Sequence, residues 1–261
     1  MLRRRAPTTV IPPAFEATPA LCHNCCNIDA APLNLRQSLT LTGADLNVRR
    51  IISEIVATAI VVFARFITAA RGLWIGVKPE LRPRVYFANH TSNGDFVLIW
   101  TVLPRNLRYR TRPVAASDYW LKSPLRAFIG KQVFNAVLIN RIPEERTEDP
   151  VTQMAEAIDQ GSSLILFPEG KRNSGPDTLL PFKSGLYHLA RQRPEAELVP
   201  VWIENLGRVM PKGEIVPIPL SVSVSFGEPL HVAEGETKDA FLTRASDALR
   251  ALSAVTEKAR A

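Results

Sequence analysis

DPVTQMAEAIDQGSSLILFPEGKR, residues 149–172, contains a whole α/β unit. Asp149 stands where a helix N-cap belongs, Pro150–Gln160 has helical spacing, and Gly161 supplies the stop. Leu164–Phe167 is a short apolar run that reads as a buried strand, and it delivers Pro168-Glu169-Gly170 at its carboxyl end. In open α/β sheets, ligand sites lie outside the carboxyl ends of the strands.

The same alternation continues on both sides. Val85–Ala88, Val114–Ala116, Val137–Asn140, Leu198–Ile203 and Leu220–Phe226 read as strands. Asp95–Leu103, Pro124–Val133, Ser184–Arg193 and Thr237–Lys258 read as helices, the last with Phe241, Leu242, Ala245, Ala248, Leu249 and Leu252 as one core-facing stripe. The pattern predicts an α/β fold with a central, mostly parallel sheet flanked by helices.

A second stretch, Asn89-His90-Thr91-Ser92-Asn93-Gly94-Asp95, follows the first of these strands. Within one helix His90 and Asp95 would point about 140° apart at 3.6 residues per turn, so a helix cannot pair them. They meet if His90 lies on the loop and Asp95 in the first turn of the next helix, with Asn93-Gly94 as the bend. A carboxylate on one ring nitrogen then fixes the tautomer and leaves the other free to take a proton from an alcohol. The plainer alternative, a helix-capping aspartate beside a hydrogen-bonded histidine, is compatible with this. No Gly-x-Ser-x-Gly elbow is present, so a covalent route through Ser92 or Ser174 has no support. A Pro-Glu-Gly turn ending in two cations, Lys171 and Arg172, suits a phosphate.

In order and spacing, His90-x4-Asp95, Val137-Leu138-Ile139-Asn140-Arg141, Phe167-Pro168-Glu169-Gly170-Lys171-Arg172 and Leu198-Val199-Pro200-Val201-Trp202-Ile203 resemble the four sequence blocks of the glycerophospholipid acyltransferase family, of the 1-acylglycerol-3-phosphate acyltransferase type. The resemblance covers roughly residues 73–230. It implies His90 and Asp95 as the catalytic pair, and a phosphate set of Arg141, Glu169, Gly170, Lys171 and Arg172. Arg141 and Arg172 would grip the phosphate, and Gly170 would allow close approach. Glu169 would hold an arginine or Lys183. It further implies an acyl thioester donor, acyl-CoA or acyl carrier protein, a lysophospholipid acceptor, and neither metal nor cofactor. Backbone amides of Thr91–Gly94 are the expected oxyanion donors. The family's third block usually reads FPEGTRS; Lys171 and Asn173 depart from it, which keeps other lysophospholipids and glycerol 3-phosphate open as acceptors.

Composition narrows the partners. A net charge of +7 with 46% hydrophobic residues describes a globular chain that favours an anionic partner. No nucleic-acid-binding signature is present, and a non-catalytic protein on an anionic surface is the alternative from another class. The basic run Arg105, Arg108, Arg110 and Arg112 suits lipid headgroups, an acidic carrier protein or solvent.

Residues 1–45 read as a flexible leader, 46–72 as a membrane-associating helix and 73–261 as the acyltransferase domain. Met1-Leu2-Arg3-Arg4-Arg5 lacks the apolar run of a signal peptide. Cys22, Cys25 and Cys26, with His23, read as reduced thiols, without a metal or disulfide. Val48–Arg71 is close to the ~20 apolar residues that span a bilayer, interrupted by Glu54 and Arg65. An interfacial anchor, an amphipathic helix packed on the domain and a tilted or re-entrant element all fit; the anchor, flanked by arginines, predicts a protein on the cytoplasmic face of a membrane.

Overall fold

The computed structural model describes residues 43–204 and 222–258. The leader cysteines, and the first residues of the strand expected from Leu220, lie outside the described residues.

Among the described residues seven strands form one sheet: β1 (Arg71–Trp74), β2 (Arg84–Ala88), β3 (Thr111–Ala116), β4 (Val137–Ile139), β5 (Ser163–Leu166), β6 (Glu197–Glu204) and β7 (Ser223–Phe226), in the order β1-β7-β6-β2-β5-β3-β4. Every neighbouring pair is parallel except β6 with β7. Strand order therefore runs outward in both directions from β2, with β5 on one side and β6 on the other. That is the switch point at which open sheets leave a crevice for ligands.

Both faces of the sheet are covered. Tyr86 and Ala88 of β2 belong to the layer containing α1 (Gly43–Thr68) and α2 (Asp95–Val102). Val85 and Phe87 belong to the layer of α6 (Pro150–Asp159), α7 (Gly185–Gln192) and α8 (Lys238–Lys258). With both faces dry, all five residues of β2 are buried, which explains an apolar run without alternation. Short elements complete the chain: α3 (Arg105–Arg108), α4 (Ser117–Trp120), α5 (Pro124–Phe128) and a 3₁₀ turn at Pro143–Glu145.

The unit at 149–172 forms as its local chemistry requires. Asp149 accepts from the amides of Val151 and Thr152 at 3.0 Å each, and Gly161 takes φ +78 to leave the helix. The helix expected over Pro124–Val133 changes character midway, since Ile129–Val133 is a π turn with the Phe134 amide donating to Ile129. Gly130 lies flat on Trp120 there, where a Cβ would sit 3.0 Å from the indole.

The expected end of the first helix needs correction. It stops at Thr68, Ala69 turns to φ 43, and Arg71–Trp74 becomes β1, in register with Ser223–Phe226. The boundary drawn at residue 72 thus falls inside a strand of the main sheet. Helix α1 itself carries Asn47–Thr68, 22 residues that contain an 18-residue stretch of mean hydropathy 2.0, long and apolar enough to cross a bilayer by length and composition. Its inner stripe, Ala57 and Val61, packs on the core. Its outer side exposes Ile51, Ile55, Val62, Phe63 and Phe66, the last 83% accessible.

Candidate active site

His90 leaves the carboxyl end of β2, and Asp95 opens α2. The His90 Nδ1 lies 2.9 Å from Asp95 Oδ2, which also accepts the amides of Thr91 at 2.7 Å and Ser92 at 2.9 Å. An ionised carboxylate only accepts, so Nδ1 carries the proton and Nε2 has a free lone pair. Asp95 is fully buried, whereas the His90 side chain keeps 19% of its surface open. The helix-capping alternative does not hold: α2 has Gly94 at its N-cap without a side-chain cap, and Asp95 Oδ2 instead ties back the loop amides that precede the helix. The set of expected oxyanion donors narrows: the amides of Thr91 and Ser92 are committed to Asp95 and that of Gly94 to Ser92 Oγ at 3.2 Å, which leaves Asn93 of the four.

The loop is held from three other parts of the chain. Glu169 Oε1 accepts the His90 amide at 2.8 Å and Oε2 the Leu180 amide at 2.9 Å. The Asn173 amide donates to the His90 carbonyl at 2.6 Å, and Phe167 stacks on the imidazole, ring centroids 4.2 Å apart. Asn89 exchanges two hydrogen bonds with Ile203 on β6, at 3.0 and 2.8 Å. All the backbone and side-chain partners of His90 thus come from the ends of β5, its following loop and α2. Burial pushes the Glu169 carboxyl above its ordinary range, and its two amide donors offset only part of that.

The phosphate set is less compact. Gly170 is necessary where it stands, at φ +69 with the Lys183 side chain 2.6 Å from a hypothetical Cβ. Lys171 and Arg172 are exposed, two residues and one residue before the amide that meets His90, and among the described residues neither forms an ion pair. Arg141 follows β4, three strands from β2, roughly 14 Å across the sheet at ~4.8 Å per strand. It is turned onto Asp118 of α4, with its Nε 3.1 Å from Oδ1; Asp118 raises the guanidinium pKa and is itself lowered by it. Glu169 is the second correction. It is 2% exposed and spent on backbone amides, so it holds neither phosphate, nor an arginine, nor Lys183, but the histidine loop. The basic run also divides: Arg108 donates to the carbonyls that end α2, and Arg112 to Asn135, leaving Arg105 and Arg110 exposed.

A family model described as Acyltransferase matches residues 76–204, the segment that holds all of these groups. The chain belongs to the acyltransferase family. Curated relatives include 1-acyl-sn-glycerol-3-phosphate acyltransferase alpha of Homo sapiens, 32% identical over 129 residues that make up 47% of this chain and 41% of that protein. The 1-acyl-sn-glycerol-3-phosphate acyltransferase of Haemophilus influenzae is 30% identical over 118 residues, 42% of this chain and 44% of that protein. The matches therefore span less than half the length of these two relatives. In fold, the chain is similar to the crystal structure of the 1-acyl-sn-glycerophosphate (LPA) acyltransferase PlsC from Thermotoga maritima, with a TM-score of 0.55 at 20% identity, covering 78% of this chain and 82% of that one.

For this member of the acyltransferase family, sequence reading missed the roles of Asn89, Phe167, Asn173 and Asp118. Asn173 had a legible signal. Its Oδ1 accepts the Gly175 amide at 3.0 Å, the short Asx turn that an Asn-Ser-Gly run encodes.

Proposed function

We propose that this chain transfers a fatty acyl group from an acyl thioester, acyl-CoA or acyl carrier protein, to the free hydroxyl of 1-acyl-sn-glycerol 3-phosphate, giving phosphatidic acid. The carrying observation is the buried Asp95 carboxylate 2.9 Å from His90 Nδ1, which leaves Nε2 as a base at the mouth of the crevice. Nε2 takes the hydroxyl proton as the alcohol oxygen attacks the thioester carbonyl. The tetrahedral intermediate collapses with cleavage of the C–S bond, and the thiolate leaves with the proton returned from Nε2. Asp95 remains ionised and balances the imidazolium. The names of the relatives support this acceptor, and Arg141, Lys171 and Arg172 supply cations for its phosphate.

The experiment is an acyl-transfer assay with both donor types against lysophosphatidic acid, other lysophospholipids and glycerol 3-phosphate. Transfer to lysophosphatidic acid that fails in His90→Ala is expected. Absence of transfer to every acceptor from both donors would leave only a surface-binding protein. The same reading has the protein held on the cytoplasmic face of a membrane by α1, whose outer side exposes Ile55, Val62 and Phe66. Changing those three to Gln leaves the inner stripe intact and is expected to move the protein to the soluble fraction. High salt alone should strip it only in part, because screening leaves the apolar contribution.

A further inference from the structure

Helix α1 does not close fully on the domain. A cavity of about 160 Å³ lies between its residues Ala57, Thr58 and Val61 and the chain at Trp100, Arg105, Arg108 and Tyr109. That is roughly five times the ~30 Å³ share of one water molecule, enough for a phosphate group.

Its charge is one-sided. Arg108 donates Nε to the Trp100 carbonyl at 2.9 Å and Nη2 to those of Thr101 at 3.0 Å and Leu103 at 2.9 Å. Arg65, reaching across from α1, donates to the same Thr101 oxygen at 3.3 Å, so two guanidinium groups meet at one acceptor. Arg105 supplies a third, held 5.6 Å over the Tyr109 ring. Elsewhere in the described chain Arg84, Arg141, Arg193 and Arg244 each face a carboxylate. Arg65, Arg105 and Arg108 form no ion pair among the described residues. Glu54, one turn before Thr58, is held by Arg50 at 3.5 Å. The carboxyl end of α2 offers about half a negative charge against three positive ones, and Arg108 already uses it. Burial, and then Arg65, lower the Arg108 pKa, as expected of a cation that lacks its counter-charge.

We propose that this cavity binds a phosphate-bearing anion between Arg105 and Arg108, the two guanidinium groups that line it, with Arg65 adjacent through the Thr101 carbonyl. The favoured source is the headgroup of an anionic phospholipid, because one wall of the cavity is α1 and the outer side of α1 is apolar. The site is separate from the candidate active site. It lies at the far end of α2 from Asp95, roughly 10 Å away at 1.5 Å per residue. It converts a general attraction of basic residues for a charged surface into recognition of one headgroup beside the helix that carries Asp95.

The inference rests on the membrane association proposed above, and its test separates the two. Full-length protein is sedimented with vesicles of phosphatidylcholine alone and with about one third phosphatidylglycerol. Arg105→Gln removes a charge from the cavity, Thr58→Phe fills it with every charge kept, and Arg49→Gln removes one from the exposed start of α1. Arg108 is left alone because it caps α2. Arg105→Gln and Thr58→Phe are each expected to lower the preference for phosphatidylglycerol by roughly tenfold, and Arg49→Gln by less than about twofold. In a second arm inorganic phosphate is added, with the thermal midpoint as readout. Phosphate that stabilises wild type but not Arg105→Gln, and competes with the vesicles, identifies a soluble phosphate as the source; no such effect beside an intact vesicle result identifies the lipid. If Arg105→Gln and Thr58→Phe behave as Arg49→Gln does and phosphate has no Arg105-dependent effect, the proposal is wrong. If no variant and not even wild type binds vesicles, the membrane reading fails, and the phosphate arm alone decides the site.

Discussion

His90 and Arg141 both stand at carboxyl ends of parallel strands, yet they are held in opposite ways. His90 has its ring nitrogen, amide, carbonyl and ring face each engaged by a different residue, and its closest partner, Asp95, is wholly buried. Arg141 has a side chain 62% exposed and one partner, Asp118, 48% exposed. An exposed ion pair of this kind stabilises by ~0–1 kcal/mol, so giving up Asp118 costs Arg141 little, as its proposed role in holding the acceptor phosphate requires. A base must be in place before the substrate arrives, because misplacement is lost directly from the rate. A headgroup grip has to let go and take hold again.

The largest expected effect lies on the rigid side. His90→Ala should lower kcat by ~10²–10⁴-fold while leaving the unfolding midpoint close to wild type, since the loop is held through its backbone. Near-wild-type turnover in the purified variant would remove the base from the mechanism. On the exchangeable side, Arg141→Ala and Arg172→Ala should raise KM for a phosphate-bearing acceptor by roughly 10- to 150-fold, a loss of ~1.5–3 kcal/mol, and leave KM for the donor unchanged. Equal effects on both substrates would show that the grip is not on the headgroup.

Glu169 tests whether the rigid side depends on its carboxylate. Gln offers one acceptor oxygen for two amides, so Glu169→Gln should destabilise the fold by ~1–3 kcal/mol. Because burial raises its folded pKa, the native state keeps a proton that the unfolded chain has released. The stability contribution is therefore complete below the ordinary carboxylate range, near ~4.3, and is lost as pH rises through the raised value. Urea midpoints measured across that window should fall for wild type relative to Glu169→Gln; parallel curves would contradict the assignment. Smallest of all, Asp118→Asn should change stability by less than ~1 kcal/mol and, by freeing Arg141, lower the acceptor KM by at most about threefold.

What was legible in the chain was local. Asp149, Pro150 and Gly161 announce the α6–β5 unit because capping and a left-handed turn are decided within a few residues. The His90–Asp95 pair was legible because five residues and one bend suffice to join it. Strand β1 was not, since Arg71–Trp74 is four residues long and its partner β7 begins at Ser223. Nor was the role of Glu169, whose two donors lie 79 residues before it and 11 after it, and nothing near Glu169 distinguishes a buried anchor from a solvated turn. Arg105 and Arg108 read alike as members of a basic run. Both come to line the cavity, but only packing makes Arg108 the cap of α2 as well.

The bridge made by Glu169 has a consequence for hydrogen exchange. The amides of His90 and Leu180 belong to no helix or strand, so neither owes its protection to a ladder of regular structure. One carboxylate shelters both. Deuterium reaches either amide once that side chain lifts away, and a single opening exposes two protons ninety residues apart in the chain. The two should exchange at one shared rate, a pair of slow loop amides that keep time with each other.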